Sequence, residues 1–371
     1  MSKPSRLISL DAFRGFTIML MILVNNPGSW DYVFSPLKHA AWHGCTPTDL
    51  VFPFFLFIMG TAMAFSFARR LEESASRWPI YLQIFKRTVL LIFLGLFMAW
   101  YLRWNLATLR FPGVLQRIGL CYFFASMIIL HNKRNGQIAW TTLLLIGYWL
   151  AMAFIPFPGR GEDVWALNST LAQYLDGILL KGHLYKPDIG FDPEGLLSTL
   201  PAISQVMLGY FAGQWLRSKT EPLQKTNGMF IAANVAIVLG LAWSLFMPIN
   251  KQIWTSSYVL YTTGLALHAL ALSYWLIDIK GYTRFAKPFV IYGSNAILAF
   301  FGSGIMAKTM MLWKVTRPDG SQVSLKALIY DSALKPLFGN WGGSLVHPLL
   351  FILIWLGILT WCYRRKIFIK L

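Results

Sequence analysis

Two histidines in one short polar segment are the residues best placed to do chemistry. His39 and His43 lie in Lys38-His39-Ala40-Ala41-Trp42-His43-Gly44. Imidazole is the side chain whose ordinary pKa, about 6.5, lets it accept and return a proton near neutral pH. The segment is flanked by Val24-Asn25-Asn26-Pro27-Gly28 on one side and Thr46-Pro47-Thr48-Asp49 on the other, so amides and a carboxylate accompany the two rings. Plainer readings exist for each. Asp49, with Pro47 just ahead of it, also suits a helix N-cap. His39 and His43 beside Trp42 also suit an exposed loop or an anchor at a membrane interface.

Three more clusters mix polar and aromatic residues: Arg110-Phe111-Pro112-Gly113-Val114-Leu115-Gln116-Arg117, Phe191-Asp192-Pro193-Glu194-Gly195, and Pro248 to Tyr258, which carries Lys251, Trp254 and Ser257. Carboxylates can pair with an ammonium while an aromatic face stacks on a sugar ring, so the set suits a hydroxyl-rich, amine-bearing ligand. Asp49, Asp192, Glu194, Lys251 and Trp254 are therefore expected to contact substrate. Asp192 and Glu194 alternatively cap the following helix through its N-terminal dipole.

The elements that must position these residues follow from composition. Of 371 residues, 56% are hydrophobic and 13% charged, about half the charge density of a soluble domain, which leaves an integral membrane protein. The expected fold is an all-α, polytopic transmembrane helix bundle, a single domain over 1–371, with about ten spans at 9–27, 49–68, 84–103, 113–131, 137–156, 196–216, 228–248, 256–278, 288–311 and 345–363. The net charge of +18 is then an orientation signal. With both termini cytoplasmic, the basic residues fall mostly on the inside, and the four polar clusters share the outer face. The outer loop 157–195 is the longest, with a short amphipathic pattern near Thr170–Leu180.

Within a bilayer an ionisable group costs at least about 2.5–3.5 kcal/mol, so each one is paired, faces water or is functional. Arg14, Arg87 and Arg117 fall inside spans. Asp11 and Arg14 are three apart on one helix face, which suits either a local ion pair or a place near a cofactor. Ser204, Gln205, His268 and Gly293-Ser294-Asn295 fall at mid-membrane depth, where small and polar residues join helices or line a cavity. Asp11 and Arg14 interrupt the first apolar run, and no small-residue cleavage site follows, so it reads as a retained helix rather than a signal peptide. Cys45, Cys121 and Cys362 form neither a disulfide framework nor a metal-ligand spacing. No phosphate-loop, dinucleotide, zinc or nucleophile-elbow motif is present, and nucleic-acid binding has no support beyond net charge. An amino-sugar transporter is the competing class, but the paired, symmetric halves of such proteins are not visible.

Ser9-Leu10-Asp11-Ala12-Phe13-Arg14-Gly15, the Val24-Asn25 step, Lys38 to Gly44 and Asp49 to Gly60 closely resemble segments of the heparan-α-glucosaminide N-acetyltransferase family. Phe111 to Arg117, Phe191 to Gly195, Pro248 to Tyr258 and Arg365-Lys366-Ile367-Phe368 resemble further segments in the same order, so the likeness covers nearly the whole chain. Without the large lumenal N-terminal region and preceding helix of the lysosomal enzymes, the sequence looks like a bacterial inner-membrane member. The resemblance implies transfer of acetyl from cytosolic acetyl-CoA, as co-substrate and without a metal, to a glucosamine amine on the far side of the membrane. It implies that His39 is the catalytic histidine, as general base or as an acetylated nucleophile, with Asn25 polarising the thioester carbonyl or orienting His39. Because a deprotonated amine is already a competent nucleophile, direct transfer is favoured. Arg117 is expected to hold the bundle by pairing with Asp49 or to line the acyl path. Arg14, Arg87, Arg117, Ser257, Arg284 and Asn295 are the expected contacts to CoA, with Arg14, Arg87 and Arg284 on its nucleotide and phosphates, since phosphate prefers guanidinium forks. A homodimer is implied by the family likeness.

Overall fold

The computed structural model of the chain describes residues 7–73 and 76–369, and the expected helical membrane architecture is what it shows. Among the described residues, eight helices are long and apolar enough to cross a membrane, nine if one bent pair counts as a span. The chain sorts into two compact units interleaved in sequence, one built from its two ends together with 46–51, the other from 40–45 and 52–272.

The first unit contains α1 (Ile8–Asn25), α10 (Thr283–Ser294), α11 (Ala296–Leu312), α12 (Leu325–Ile329) and α13 (Lys335–Arg364), with a β-hairpin of β1 (Lys314–Thr316) and β2 (Gln322–Ser324) between α11 and α12. Lipid is as apolar as leucine, so close backbone packing rather than water exclusion holds such helices together. α1 and α10 meet at a pair of glycines. A Cβ on Gly15 would fall 1.8 Å from the Phe289 carbonyl oxygen, and one on Gly293 would fall 1.9 Å from that of Asp11. Each glycine thus admits the backbone of the opposite helix.

Two expected boundaries change here. The span expected over 288–311 is two helices, α10 and α11, bent by 72° at Asn295, with Pro288 inside α10. Hydropathy runs unbroken through the bend and so does not register it. The segment before 345, expected as loop, is the hairpin followed by helix from Leu325 onward, and Gly339, at φ 69°, breaks the helical path of α13.

The second unit contains, apart from the end residues Val51 and Ser273, α2 (Val51–Glu73), α3 (Trp78–Arg103), α4 (Val114–His131), α5 (Arg134–Phe154), α6 (Leu171–Leu179), α7 (Thr199–Arg217), α8 (Pro222–Trp243) and α9 (Ser256–Ser273). Prolines at the first turns of α3 and α8 suit positions where the missing N–H has no helical partner. Leu56, Met63, Phe67, Tyr122, Val206 and Met207 are among the residues enclosed in its core. The mid-membrane polar residues tie helices together. Ser204 donates to the Thr141 carbonyl at 3.0 Å, and Gln205 donates to Thr263 Oγ1 at 2.9 Å. The amphipathic pattern in the outer loop is α6, whose N-cap Thr170 accepts from the Gln173 N–H.

Candidate active site

The start of α2 explains how His39 is placed. Pro47–Leu50 forms a 3₁₀ turn leading into α2, with Thr46 as its N-cap residue. Asp49 reaches back within this turn: Oδ2 accepts from the Thr46 N–H at 3.0 Å, the reciprocal half of a capping box. Thr46 Oγ1 lies 2.7 Å from the Lys38 carbonyl and 2.9 Å from Asp49 Oδ2, so its single proton serves one or the other. The other carboxylate oxygen of Asp49 lies 2.6 Å from His39 Nδ1. The Asp49 side chain is 1% exposed and that of His39 45% exposed.

This geometry fixes a tautomer. A carboxylate accepts, so Nδ1 carries the proton and Nε2 of the neutral ring keeps a lone pair. A histidine supported on one nitrogen by a buried carboxylate and free on the other is arranged as a general base, the logic shared by catalytic triads. The helix-capping and functional readings of Asp49 are thus both realised, one on each oxygen.

Asn25, the last residue of α1, is exposed, whereas its neighbour Asn26 is buried and donates to the Ile22 carbonyl at 2.9 Å. The Asn26 carbonyl accepts from His347 Nδ1 at 2.9 Å. Sequence reasoning did not single out His347, which lies far along the chain in α13.

Other expected contacts of the first unit are engaged internally. Arg14 donates to Asp11 Oδ1 at 3.1 Å and to the Gly293 carbonyl at 3.2 Å, tying α1 to α10. Asn295, fully buried, uses both ends of its amide on the C-terminal segment: Nδ2 donates to the Ile367 carbonyl and Oδ1 accepts from the Ile369 N–H, each at 2.9 Å. Arg284 is exposed near the start of α10.

In the second unit, Arg110 organises the outer residues. Its Nε and Nη2 donate to the two oxygens of Asp192 at 2.8 and 2.6 Å, and Nη2 also pairs with Glu194. Asp192 further accepts from the Tyr185 and Glu194 backbone N–H groups, at 2.8 and 2.9 Å. Burial alone would push Glu194 up, but the Arg110, Lys251 and Arg117 cations hold it below the usual carboxylate range. Burial would likewise lower Arg110, yet Asp192 and Glu194 raise it above its ordinary value. Neither carboxylate is an idle acceptor for an ammonium.

Arg117 is almost completely buried. It donates to the Gly195 carbonyl at 2.9 Å and to Ser198, and its guanidinium lies 5.3 Å from the centre of the Trp254 ring. Trp254 is itself enclosed, edge-on to Phe52 and Tyr258, so its face is not open to a sugar. Ser257 is spent on the Met247 carbonyl at 2.6 Å. Arg87 lies over the Tyr122 ring at 4.5 Å.

His43 Nδ1 accepts from Asn250 Nδ2 at 3.3 Å, and burial lowers its pKa against the opposing pull of Asp163. A second residue missed in sequence is Asp176 on α6. It is buried, accepts from the Leu196 N–H at 2.9 Å and is pushed up to about 7, chiefly by burial. The signal was a carboxylate on the apolar face of a short amphipathic helix.

Residues 6–175 match a family described as a domain of unknown function, DUF5009. The chain is 30% identical over 99% of its length to the human protein named heparan-alpha-glucosaminide N-acetyltransferase, and 30% identical over 90% of its length to the mouse protein of that name. It spans 60% and 58% of the lengths of those relatives. The chain is thus similar over nearly its whole length to heparan-alpha-glucosaminide N-acetyltransferases of human and mouse, which supports membership of that family.

Proposed function

We propose that the chain is a membrane acetyltransferase that moves the acetyl group of acetyl-CoA to the amine of a glucosamine-type sugar. The observation that carries this reading is the 2.6 Å contact between His39 Nδ1 and Asp49 Oδ1, which leaves His39 Nε2 as a base on a half-exposed ring. The likeness to the human and mouse N-acetyltransferases supports the substrate class.

His39 Nε2 takes a proton from the attacking amine as its nitrogen bonds to the thioester carbonyl carbon. The C–S bond then breaks, and the imidazolium returns the proton to the departing sulfur. Asp49 stabilises the imidazolium in between, and Asn25 donates to the carbonyl oxygen. Direct transfer remains the favoured version, because the acceptor needs only deprotonation to react.

In this reading acetyl-CoA comes from the cytoplasm and the sugar from the periplasmic side of a bacterial inner membrane, as the distribution of basic residues supports. Arg284, exposed near the cytoplasmic start of α10, is the assigned phosphate contact of the first unit. Asp192 and Glu194 contribute at the outer surface by holding Arg110, while Lys251 stands within electrostatic reach of Glu194 as a contact for sugar hydroxyls.

The test is acetyl-CoA consumption by the purified chain with glucosamine or a glucosamine-terminated oligosaccharide. Wild type should turn over and His39→Ala should stop while unfolding at the wild-type temperature. A wild-type chain that lacks this activity but carries labelled amino sugar across proteoliposomes is a transporter, and the proposal fails.

A further inference from the structure

The first unit holds a partly open cavity of about 120 Å³ beside Asn25. Its lining includes Asn25, Trp30, Lys326 and His347, with the thioethers of Met310 and Met311. Only Asn25 among these was expected to act.

The walls are tied together. His347 Nδ1 donates to the Asn26 carbonyl, which leaves the acceptor lone pair of the neutral ring on Nε2. Ser344 Oγ donates to the Ser29 carbonyl at 2.9 Å, and the Gly28 N–H donates to the Ser344 carbonyl at 2.9 Å. The end of α1 and the 344–347 turn of α13 therefore hold one another. Lys326 is carried on α12, whose cap Ser324 accepts from the Ala327 N–H at 3.2 Å, and its Nζ lies 5.7 Å from the centre of the Trp30 ring.

The sign of the charge selects the ligand class. The lining includes a lysine and no Asp or Glu. A sugar amine arriving as an ammonium meets like charge there, which is unfavourable at contact distance. A carbonyl oxygen meets three donors on Lys326 and two on the Asn25 amide. The methionine side chains offer a soft apolar wall for a methyl group and a sulfur.

We propose that this cavity receives the acetyl end of the thioester and that Lys326, together with Asn25, donates to its carbonyl oxygen. The assignment rests on the acetyl-transfer reading above. As the amine nitrogen bonds to the carbonyl carbon, the carbonyl electron pair moves onto oxygen, where the Lys326 ammonium meets the developing charge. The pair returns as the C–S bond breaks and sulfur leaves. The proton travels from nitrogen through His39 to sulfur, and Lys326 keeps its own protons throughout.

The probe is an acetyl-CoA analogue in which a methylene replaces the sulfur, a ketone that binds without transferring its acyl group. Bound to wild type, its infrared carbonyl band should move to lower frequency than in buffer, and Lys326→Met should abolish that shift. In turnover, Lys326→Met should lower kcat about 10²–10³-fold, as loss of one oxyanion donor does, with little change in KM for acetyl-CoA. Lys326→Arg, which keeps a cationic donor, should recover part of the loss. An unshifted band in a wild-type chain that turns over acetyl-CoA overturns the role of Lys326 and leaves acetyl transfer standing, and this reading needs no variant to fold. A wild-type chain that neither turns over acetyl-CoA nor binds the ketone overturns both.

Discussion

The carboxylate of Asp49 is shared between two tasks: Oδ1 meets His39 Nδ1 at 2.6 Å while Oδ2 meets the Thr46 N–H at 3.0 Å. Substitution should separate them. In Asp49→Asn the amide retains an oxygen for one partner only. If that oxygen stays on the Thr46 N–H, the amide nitrogen faces Nδ1, and the ring must place its lone pair there and its proton on Nε2. The base is then lost. We expect kcat to fall about 10²–10⁴-fold, the range for removing general-base function, with a modest loss of thermal stability. Thr46→Ala should lower stability by about 0.5–2 kcal/mol, as cap removal does, while keeping most of the activity. Steady-state kinetics beside thermal unfolding of both variants decides this.

Asp176 gives a pH dependence of stability. Its folded pKa of about 7 lies above the ordinary value of 3.8, so between these values the folded chain binds more protons than the unfolded one. Stability then falls as pH rises through that interval: the contribution is complete below about 4 and lost as pH passes about 7. Asp176→Asn keeps an acceptor for the Leu196 N–H and never ionises. Its unfolding temperature should exceed that of wild type most at pH 8, by less at pH 5, and approach it only below about pH 4. A difference between the two proteins that is the same at all three pH values would contradict the assignment.

Much of this was legible in the sequence because membrane spans declare themselves by length and apolarity alone. What hydropathy does not carry is backbone direction, so the bend at Asn295 and the break at Gly339 were invisible. The His39 and Asp49 segment is legible as a polar cluster, but the contact between the two is not, since in sequence Asp49 suits a helix cap or a pairing with Arg117 equally well. Polarity alone also overstates openness. Trp254 and Ser257 read as ligand contacts, yet both are fully buried, Trp254 against Phe52, Tyr258 and Arg117, and Ser257 on the Met247 carbonyl. His347 and Lys326 reach Asn25 only through tertiary structure, some three hundred residues along the chain, and no local pattern marks them.

The glycines between α1 and α10 predict a steric failure. Gly293→Ala would place a methyl 1.9 Å from the Asp11 carbonyl oxygen, and because that atom is backbone, the helices must separate. Arg14, which spans the same junction to the Gly293 carbonyl, would lose that bond. We expect a lower unfolding temperature and reduced folded yield in detergent for Gly293→Ala, whereas Gly357→Ala, which meets nothing within 4 Å, should behave as wild type.

Arg110 should matter more to stability than its partial exposure suggests. Removing it in Arg110→Met leaves Asp192 and Glu194 buried without the guanidinium that bonds both, and breaking such a pair by deleting one partner costs about 3–5 kcal/mol. Arg110→Lys keeps the charge but not the two-pronged geometry on Asp192 and should fall between. The double variant Asp192→Asn with Glu194→Gln, in the Arg110→Met background, should recover part of the loss because no uncompensated carboxylate remains. Thermal unfolding of the three proteins tests this ordering. If Arg110→Met proves as stable as wild type while its KM for the sugar rises, the cluster is open to substrate after all and Asp192 and Glu194 return as its ammonium contacts.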